Sequence, residues 1–265
     1  MSVRDMLTYL NTHVDEDTQT KIIHFVFLNY LDIQNLSIVQ MADACYTSTA
    51  SISRFCKKFG FDSFEDMKAQ VVSATTIRKP RFLFRMSKNS LSELTKSPIN
   101  FYNDFAEEIS KSIIDVTKSV SVNEIDAIIN QIMQSKKVTL FGYDIMNNSL
   151  RILQQALLNC GVLVQMGEDY YVQSKQAESL DSDSLAIVCS SFGNFFSMLP
   201  NIYNNIVTSP AKTILITQIA NTPYTAAFDQ VLSISSRSNA EAGSYPMDFL
   251  LDYIARRAFV IKRPN

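Results

Sequence analysis

Hydrophobic residues recur at helical spacing in two neighbouring stretches near the start of the chain. The repeat is i, i+3, i+4 and i+7, and it occurs at Ile38, Met41, Ala42 and Cys45 and again at Ile52, Phe55, Cys56 and Phe59. This spacing places the apolar side chains on one face of each helix and leaves the other face polar. The pattern therefore predicts two short amphipathic helices.

The residues before and between these helices have the chemistry of helix ends. Ser37 and Ser48 can each cap a first turn through the side-chain oxygen, and Tyr46-Thr47 supplies a short break. Two short helices separated by a tight turn are the geometry of a helix-turn-helix unit, in which the second helix enters the major groove of DNA. The sequence thus indicates a DNA-binding unit.

The second helix carries hydroxyl and cationic side chains, with no acidic residue between Ser48 and Phe61. We expect base-edge contacts from Thr47, Ser48, Thr49 and Ser51, and phosphate contacts from Arg54, Lys57 and Lys58. Two other interpretations stay open. The polar face is an ordinary solvated surface, as in many helix pairs that never touch DNA, or Arg54 pairs with Asp43 or Asp66.

Helical patterns extend over the first part of the chain and then stop. The predicted helices cover residues 18–30, 37–45, 48–59 and 63–74, with Gly60 in a left-handed conformation after the third. Residues 78–103 contain Pro80, Pro98 and a basic run of Arg78, Lys79, Arg81, Arg85 and Lys88, a composition typical of a linker. We therefore expect an all-α DNA-binding domain over residues 1–77, a linker over 78–103 and a further domain over 104–265.

Short β-prone runs alternate with helical segments in the remaining chain. The predicted strands cover residues 138–141, 162–166, 185–189, 213–217 and 230–234, and predicted helices lie near 105–116, 125–133, 149–159, 173–180, 196–205 and 226. This alternation favours an α/β fold with a mostly parallel sheet covered by helices on both faces. Ligands in such folds bind beyond the carboxyl ends of the strands, which here are residues 142–149, 190–195 and 217–222.

Bulk composition narrows the class of protein. The chain has 265 residues, of which 46% are hydrophobic and 19% charged. These values are typical of a soluble globular protein with room for two cores. Without a membrane-length apolar run or a signal-peptide pattern, we expect a cytoplasmic protein. The four cysteines lack metal-ligand spacing, so we expect buried thiols, no metal and no cofactor.

The two predicted helices resemble a specific family signature. Residues 37–45 followed by 48–61 are similar to the helix-turn-helix of the RpiR (MurR/RpiR) family of bacterial transcription regulators, above all at Arg54-Phe55-Cys56 and Gly60-Phe61. Members of this family carry a C-terminal sugar isomerase (SIS) domain. The resemblance implies transcription regulation of carbohydrate-metabolism genes.

The later part of the chain resembles a SIS domain at several loops. Gly142 and Gly161 fall at glycine positions of that domain, and residues 190–193 resemble its Ser-x-Ser-Gly loop, which holds sugar phosphate. The resemblance implies a site for a carbohydrate derivative, with candidate contacts from Ser190, Ser191, Gly193, Asn194 and Thr217. These residues also fit ordinary loops that cap the next helix.

Four positions depart from the SIS pattern. Asp144 and Met146 stand in the first loop, and Phe192 and Phe195 stand in the second, where the family has small or hydroxyl residues. Phosphate sites converge N–H groups and hydroxyls on the anion. The effector therefore stays open between a sugar phosphate, a less charged and more apolar molecule, and none.

Three functions are compatible with these residues. The first is a regulator that binds a double-stranded DNA operator as a homodimer or homotetramer, because eight basic against nine acidic residues over 1–80 give each domain a weak field. The second is a sugar-phosphate isomerase with an added helical domain, for which Glu168 or Glu241 would be the base, although His13 and His24 both lie in the N-terminal part. The third is a protein-interaction module. We expect the regulator, without enzymatic activity.

Overall fold

The chain folds into two compact units, residues 1–80 and residues 81–265. The computed structural model describes residues 3–75, 86–219, 222–237 and 239–262. Most of the basic run considered above, namely Arg78, Lys79, Arg81 and Arg85, lies outside the described residues.

The first unit is built from helices. They are α1 (Val3–Thr12), α2 (Thr18–Leu28), α3 (Ile38–Ala44), α4 (Thr49–Lys58) and α5 (Phe64–Thr75), with a 3-10 turn at Ile33–Asn35. The sequence pattern predicts α2 to α5 to within two residues at each end. It does not predict α1. Asp17, Ser37 and Ser48 each accept a hydrogen bond from a backbone N–H three residues on, so side-chain caps begin α2, α3 and α4.

One apolar core joins these five helices. Each helix contributes buried side chains, including Met6, Ile22, Met41, Phe55 and Met67. The apolar stripe of α4 is buried as the spacing predicts, since Ile52, Phe55, Cys56 and Phe59 all belong to this core. Burying one side chain of this size stabilises by about 1.5 to 3 kcal/mol. The stripe therefore fixes which face of α4 points outward.

The turns after α3 and α4 close in the same way. In each turn a residue with positive φ follows the helix, Tyr46 at 52° and Gly60 at 75°. The next residue donates its N–H to a helix carbonyl five residues back. Gly60 thus has the left-handed conformation expected of it. Tyr46 is an unusual residue for this conformation, and its side chain is 97% exposed.

The second unit begins with helices in the region whose composition predicts a linker. α6 (Lys88–Lys96) and α7 (Pro98–Ser119) occupy much of residues 78–103. Pro98 stands at the first position of α7, where its fixed φ is favourable and no N–H is needed, so it starts a helix. α8 (Val122–Gln134) follows, and Ser121 and Glu124 form a capping box at its start.

Five parallel strands form the centre of the second unit. They are β1 (Lys137–Gly142), β2 (Val164–Met166), β3 (Ser184–Cys189), β4 (Lys212–Thr217) and β5 (Gln230–Ser233), in the order β2-β1-β3-β4-β5. In the register, Ile187 of β3 lies between Leu140 of β1 and Ile214 of β4. The predicted strands agree with these to within two residues at each end.

Alternate side chains of the strands enter two separate cores. In β3, Leu185, Ile187 and Cys189 join one core, while Ala186 and Val188 join the other. The first core is closed by α7, α8, α9 (Met146–Asn159) and α13 (Tyr245–Lys262), and the second by α10 (Tyr170–Glu178), α11 (Asn194–Met198) and α12 (Pro200–Thr208). The expected fold class, a helical unit followed by an α/β unit with both sheet faces covered, is confirmed.

Three further regions of the second unit differ from the helices predicted from the sequence. A single helix is predicted over residues 196–205, but α11 ends before Leu199-Pro200 and α12 begins there, because proline has no N–H to continue the first helix. The prediction also lacks α13, whose buried side chains run from Pro246 to Ala258. The short helix predicted at Ala226 is a 3-10 turn, Thr225–Ala227.

We expect Gly60→Ala to lower the free energy of unfolding of the first unit by about 1 kcal/mol, because alanine resists positive φ. Gly60→Asn is the matched control, and its loss should be smaller because asparagine tolerates the left-handed region. Native-state hydrogen exchange of the slowest α4 amides in the full chain measures both losses. Equal losses would contradict the role assigned to φ.

Candidate functional sites

The exposed side of α4 carries a hydrogen-bonded row of polar side chains. Ser48, Ser51 and Arg54 stand three residues apart, so they lie along one side of the helix. The hydroxyls of Ser48 and Ser51 are 3.0 Å apart, and Arg54 Nη2 donates to Ser51 Oγ at 3.0 Å. Ser48 Oγ also accepts the Ser51 backbone N–H at 3.1 Å and caps the helix. Hydrogen bonds within α4 therefore hold these three side chains in place.

A second polar row lies beside the first. Thr49, Ser53 and Lys57 stand four residues apart, and all three are exposed. Ser53 Oγ donates to the Thr49 carbonyl at 3.0 Å. Ser53 is not among the residues predicted to contact DNA, although its spacing of four residues from Thr49 and from Lys57 places it on the same face of the helix. The outward face of α4 thus has one more hydroxyl than predicted.

Two of the predicted residues also contact the rest of the first unit. Lys58 Nζ lies 4.4 Å from the centre of the Tyr9 ring, a cation–π contact with α1. The Tyr9 hydroxyl donates to Asp17, and this hydrogen bond raises the pKa of Tyr9 to about 12. Thr47 is half-buried and its N–H closes the turn before α4. Lys58 and Thr47 therefore have structural as well as surface roles.

Arg54 does not form either of the ion pairs considered from the sequence. Its guanidinium donates to Ser51 rather than to Asp43 or Asp66. Asp66 instead accepts hydrogen bonds from the Asp62 N–H and from the Gln70 side chain. The exposed guanidinium of Arg54 lies on the same face as the hydroxyls.

A cavity lies at the carboxyl edge of the sheet in the second unit. Its volume is about 260 Å³, near the lower end for small-molecule pockets, which are roughly 300 to 1,000 Å³. Its walls come from the loop after β1 (143–146), the loop after β3 (190–195) and the segment before α13 (240–244). β1 and β3 are neighbours whose chains continue in opposite directions across the sheet, so a cleft opens between their loops.

Apolar side chains form much of the cavity lining. They include Ile145, Met146, Phe192 and Phe195. Cys189 also lines the cavity, and burial raises the pKa of its thiol to about 12, so the thiol is protonated at neutral pH. Asp144 adds a carboxylate, and the lining residues within the described ranges include no lysine, arginine or histidine.

The structure places the five predicted ligand contacts differently. Ser190, Ser191 and Asn194 line the cavity, and Gly193 lies in the same loop with a φ of 78°. Thr217 is buried outside the lining. Its hydroxyl donates to the Ser190 carbonyl at 2.8 Å and accepts the Ile219 N–H at 3.2 Å. Thr217 therefore holds the loop after β3 against the end of β4.

The two serines of this loop use their hydroxyls differently. Ser190 Oγ accepts the Phe195 N–H at 3.4 Å. Ser191 Oγ is buried without a hydrogen-bond partner among the described residues. A buried polar group left in this state is unfavourable by about 1 to 3 kcal/mol. A ligand group that reached Ser191 would therefore gain a hydrogen bond that the chain does not supply.

Both carboxylates considered as isomerase bases are engaged outside the cavity lining. Glu168 pairs with Arg151 at 2.9 Å. Glu241 Oε1 accepts the Ser87 N–H at 2.9 Å and the Ser90 hydroxyl at 2.6 Å. This geometry does not favour proton transfer to or from a molecule in the cavity.

Clusters of metal-ligand side chains and long apolar helices were both sought among the described residues. The described ranges contain no cluster of histidine, cysteine, aspartate and glutamate side chains suited to a metal ion. All four cysteines are buried and free. No helix within the same residues is both long enough and apolar enough to traverse a lipid bilayer.

Comparison with known proteins gives matches for both units. Residues 4–76 match the family model of the helix-turn-helix domain of the rpiR family. An uncharacterized HTH-type transcriptional regulator of Providencia stuartii is 24% identical over 233 residues, which cover 81% of this chain and 74% of that protein. One from Caldanaerobacter subterraneus is 24% identical over 230 residues, which cover 83% and 75%.

Solved structures match the fold across the chain. The Vibrio vulnificus NanR protein complexed with ManNAc-6P covers 98% of this chain and 92% of its own, with a TM-score of 0.54 and 15% identity. The sugar isomerase domain of an RpiR transcription factor from Sphaerobacter thermophilus covers 63% and 92%, with a TM-score of 0.50 and 13% identity. The second unit therefore has the fold of a SIS domain.

We expect Ser48→Ala to lower the free energy of unfolding of the first unit by about 1 kcal/mol, because α4 loses its cap. Ser48→Asp keeps an acceptor at the same position and favours the helix dipole, so stability should stay within about 0.5 kcal/mol of the wild type. Hydrogen exchange of α4 amides measures both changes. If the aspartate variant were as unstable as the alanine variant, the cap would not be the stabilising contact.

Proposed function

We propose that this chain, which belongs to the RpiR-type helix-turn-helix transcriptional regulators and carries a C-terminal SIS domain, binds operator DNA through the outward face of α4. In this proposal Thr47, Ser48, Thr49 and Ser51 reach base edges, and Arg54, Lys57 and Lys58 hold phosphates. The protein acts in the cytoplasm on carbohydrate-metabolism genes and does no chemistry of its own.

The observation that carries this proposal is the orientation of α4. Its apolar stripe is buried, and both polar rows face outward without an acidic side chain on the helix. The first turn presents backbone N–H groups and hydroxyls, and the last turn presents Lys57 and Lys58. This surface matches the chemistry of a duplex, whose backbone is anionic and whose groove edges accept and donate hydrogen bonds.

We propose that the protein binds as a homodimer or homotetramer. The acidic and basic residues of the first 80 positions nearly balance, so one unit has only a weak attraction for DNA. Two units on one palindromic operator raise the effective concentration of the second contact. Half-sites would then lie about one helical turn, roughly 10 base pairs, or a multiple of it apart.

Selection of duplexes from a random pool by the full-length chain tests the DNA-binding part of the proposal. Enrichment of an inverted repeat is the expected outcome, with gel-shift affinity for it well above that for a scrambled duplex. Enrichment of no sequence would reject the proposed function.

Lys57→Gln should weaken binding to the selected duplex and reduce the slope of log affinity against log salt by about 1 per subunit. Lys57 is the cleaner test because Lys58 also contacts Tyr9. Lys21→Gln is the matched control, since Lys21 is an exposed lysine of a different helix, α2. Fluorescence anisotropy at several salt concentrations measures both variants. An unchanged slope for Lys57→Gln, or an equal loss for Lys21→Gln, would contradict the assignment.

We further propose that the cavity of the second unit binds a small carbohydrate-derived effector that is less charged than a sugar phosphate. Support for the carbohydrate class comes from the similar fold of the NanR protein complexed with ManNAc-6P. Support for lower charge comes from the lining, where Met146 and Phe192 offer no hydroxyl and Thr217 is engaged inside the fold. Ser191 Oγ has no hydrogen-bond partner among the described residues, and Ser190 Oγ accepts one N–H and keeps its O–H to donate.

A neutral sugar should raise the melting temperature of the full chain more than its phosphate does. At a concentration of about 100 times the dissociation constant, a specific ligand stabilises by about 2.7 kcal/mol, a shift of roughly 5 °C or more. Suitable pairs are ManNAc with ManNAc-6P and glucose with glucose 6-phosphate, and inorganic phosphate is the control anion. A larger shift with the phosphorylated member would contradict the lower charge.

The sugar-phosphate isomerase considered as an alternative is not favoured. The engagement of Glu168 and Glu241 away from the cavity counts against it. Assay of the purified chain for interconversion of aldose and ketose phosphates separates the two functions, since turnover above background would require a base that the proposed regulator does not need.

A further inference from the structure

Residues 239–244, here termed the wall segment, are ordered by their own hydrogen bonds. Asn239 Oδ1 accepts the N–H groups of Glu241 at 3.2 Å and Ala242 at 3.4 Å, which caps the 3-10 turn Ala240–Ala242. Ala240, Gly243 and Ser244 of this segment line the cavity. One side of the wall segment therefore meets whatever occupies the cavity.

Glu241 extends from the other side of the wall segment to the start of α6. Its Oε1 accepts the Ser87 N–H at 2.9 Å and the Ser90 hydroxyl at 2.6 Å. Ser87 is itself the N-cap of α6, since its Oγ accepts the Ser90 N–H at 3.0 Å. Glu241 thus holds the first turn of α6, where a negative charge is favourable for the helix.

The charge on Glu241 is maintained by these donors. Burial raises the pKa of the carboxyl group, but hydrogen bonds from Ser90 and from the Ser87 backbone outweigh that effect and leave the pKa below its ordinary value. The carboxylate is therefore ionised at neutral pH. Hydrogen bonds to a charged acceptor are roughly twice as strong as neutral ones, so ionisation of Glu241 strengthens this contact.

The wall segment is also tied to the loop after β3, on the opposite wall of the cavity. Gln218 is 3% exposed, its N–H donates to the Ser191 carbonyl at 3.2 Å, and its side chain donates to the Gly243 carbonyl at 3.0 Å. Ser191 and Gly243 both line the cavity. A molecule that moved either residue would therefore act on both walls through Gln218.

Gly243 gives the wall segment a residue that can change conformation. Its φ and ψ are 57° and −134°, a region that residues with a Cβ atom rarely enter. Glycine passes between such regions without steric penalty, as hinge residues of moving segments do.

We propose that Glu241 is a positioning residue that couples the effector cavity to the start of α6, the first described element after the chain leaves the DNA-binding unit. An effector that contacts Gly243 and Ser244 shifts the wall segment, breaks the bonds from Ser87 and Ser90 to Glu241, and releases the first turn of α6. The coupling rests on the proposed function, because it requires that the cavity accept an effector and that the chain bind DNA.

Hydrogen–deuterium exchange of the full chain tests the link between Glu241 and α6. Glu241→Ala should raise the exchange rate of the amides from Ser90 to Glu93 by about tenfold, because the first turn loses its anchor. Glu241→Gln keeps the shape of the side chain and should give a smaller increase. Glu93→Gln removes an exposed carboxylate of the same helix and should leave these amides unchanged. Unchanged exchange in Glu241→Ala would overturn the proposal.

A double-mutant cycle on DNA affinity tests whether the link transmits a change at the cavity. Gly243→Ala forces the wall segment to move, since alanine disfavours a φ of 57°. We expect it to change affinity for the selected duplex by about fivefold in the wild-type background and by less than about twofold in Glu241→Ala. The same change in both backgrounds would overturn the coupling.

Failure of the coupling and failure of the proposed function give different results. A wild-type chain that bound no duplex would reject the proposed function, while the exchange of α6 would still decide whether Glu241 anchors it. Melting temperatures of all variants within about 3 °C of the wild type establish that the comparison concerns folded chains. Ser90→Ala, which removes the hydroxyl that donates to Glu241, serves in place of Glu241→Ala in the cycle if the alanine variant at position 241 does not meet this condition.

Discussion

The proposed DNA-binding surface of the first unit depends on the burial of one apolar stripe. Ile52, Phe55 and Phe59 pack into the core of the five helices, and each contributes stabilisation that no exposed contact of α4 matches. A rotation of α4 about its axis would expose this stripe and bury serines and lysines in its place. The outward position of the hydroxyls and cations follows from this constraint, and any DNA contact that they make depends on hydrophobic packing on the opposite side of the helix.

A comparable constraint positions the cavity of the second unit. Because all five strands are parallel, their carboxyl ends meet at one edge, and the order β2-β1-β3 sends the chain in opposite directions after β1 and β3. The loops that follow cannot pack on each other at this point. The strand order therefore determines where the cavity lies, and the side chains of the loops determine which ligand chemistry it could accept. Thr217 shows the distinction, since it ends a strand at the correct edge but uses its hydroxyl to hold the neighbouring loop.

The strands and most helices follow from the sequence because each carries a local pattern bounded by polar caps or turn residues. Strands with both faces buried read as continuous apolar runs, and helices α2 to α5 have spacing of about 3.6 residues between apolar positions. The prediction does not include α13. The apolar spacing that indicates a helix is nevertheless present in its sequence, at Met247, Leu250, Leu251 and Ile254. Local sequence patterns do not predict contacts between residues that are far apart in the chain. The bonds from Ser87 and Ser90 to Glu241 join residues more than 150 positions apart, and nothing in either segment indicates the other.

The similar fold of other proteins does not determine which ligand the cavity of this chain accepts. A phosphate group is held by several N–H and hydroxyl donors that converge on it. In this cavity the side chains of Phe192 and Met146 offer no donor and the Thr217 hydroxyl is engaged inside the fold, so among the predicted contacts Ser190 and Ser191 supply the hydroxyls of the lining. At 13 to 15% identity the neighbouring structures share the fold, and with it the sheet edge where a ligand would lie. The donors around that position decide which ligand charge is favourable, and the proposed effector, less charged than a sugar phosphate, is compatible with a lining that combines serine hydroxyls with the apolar Phe192.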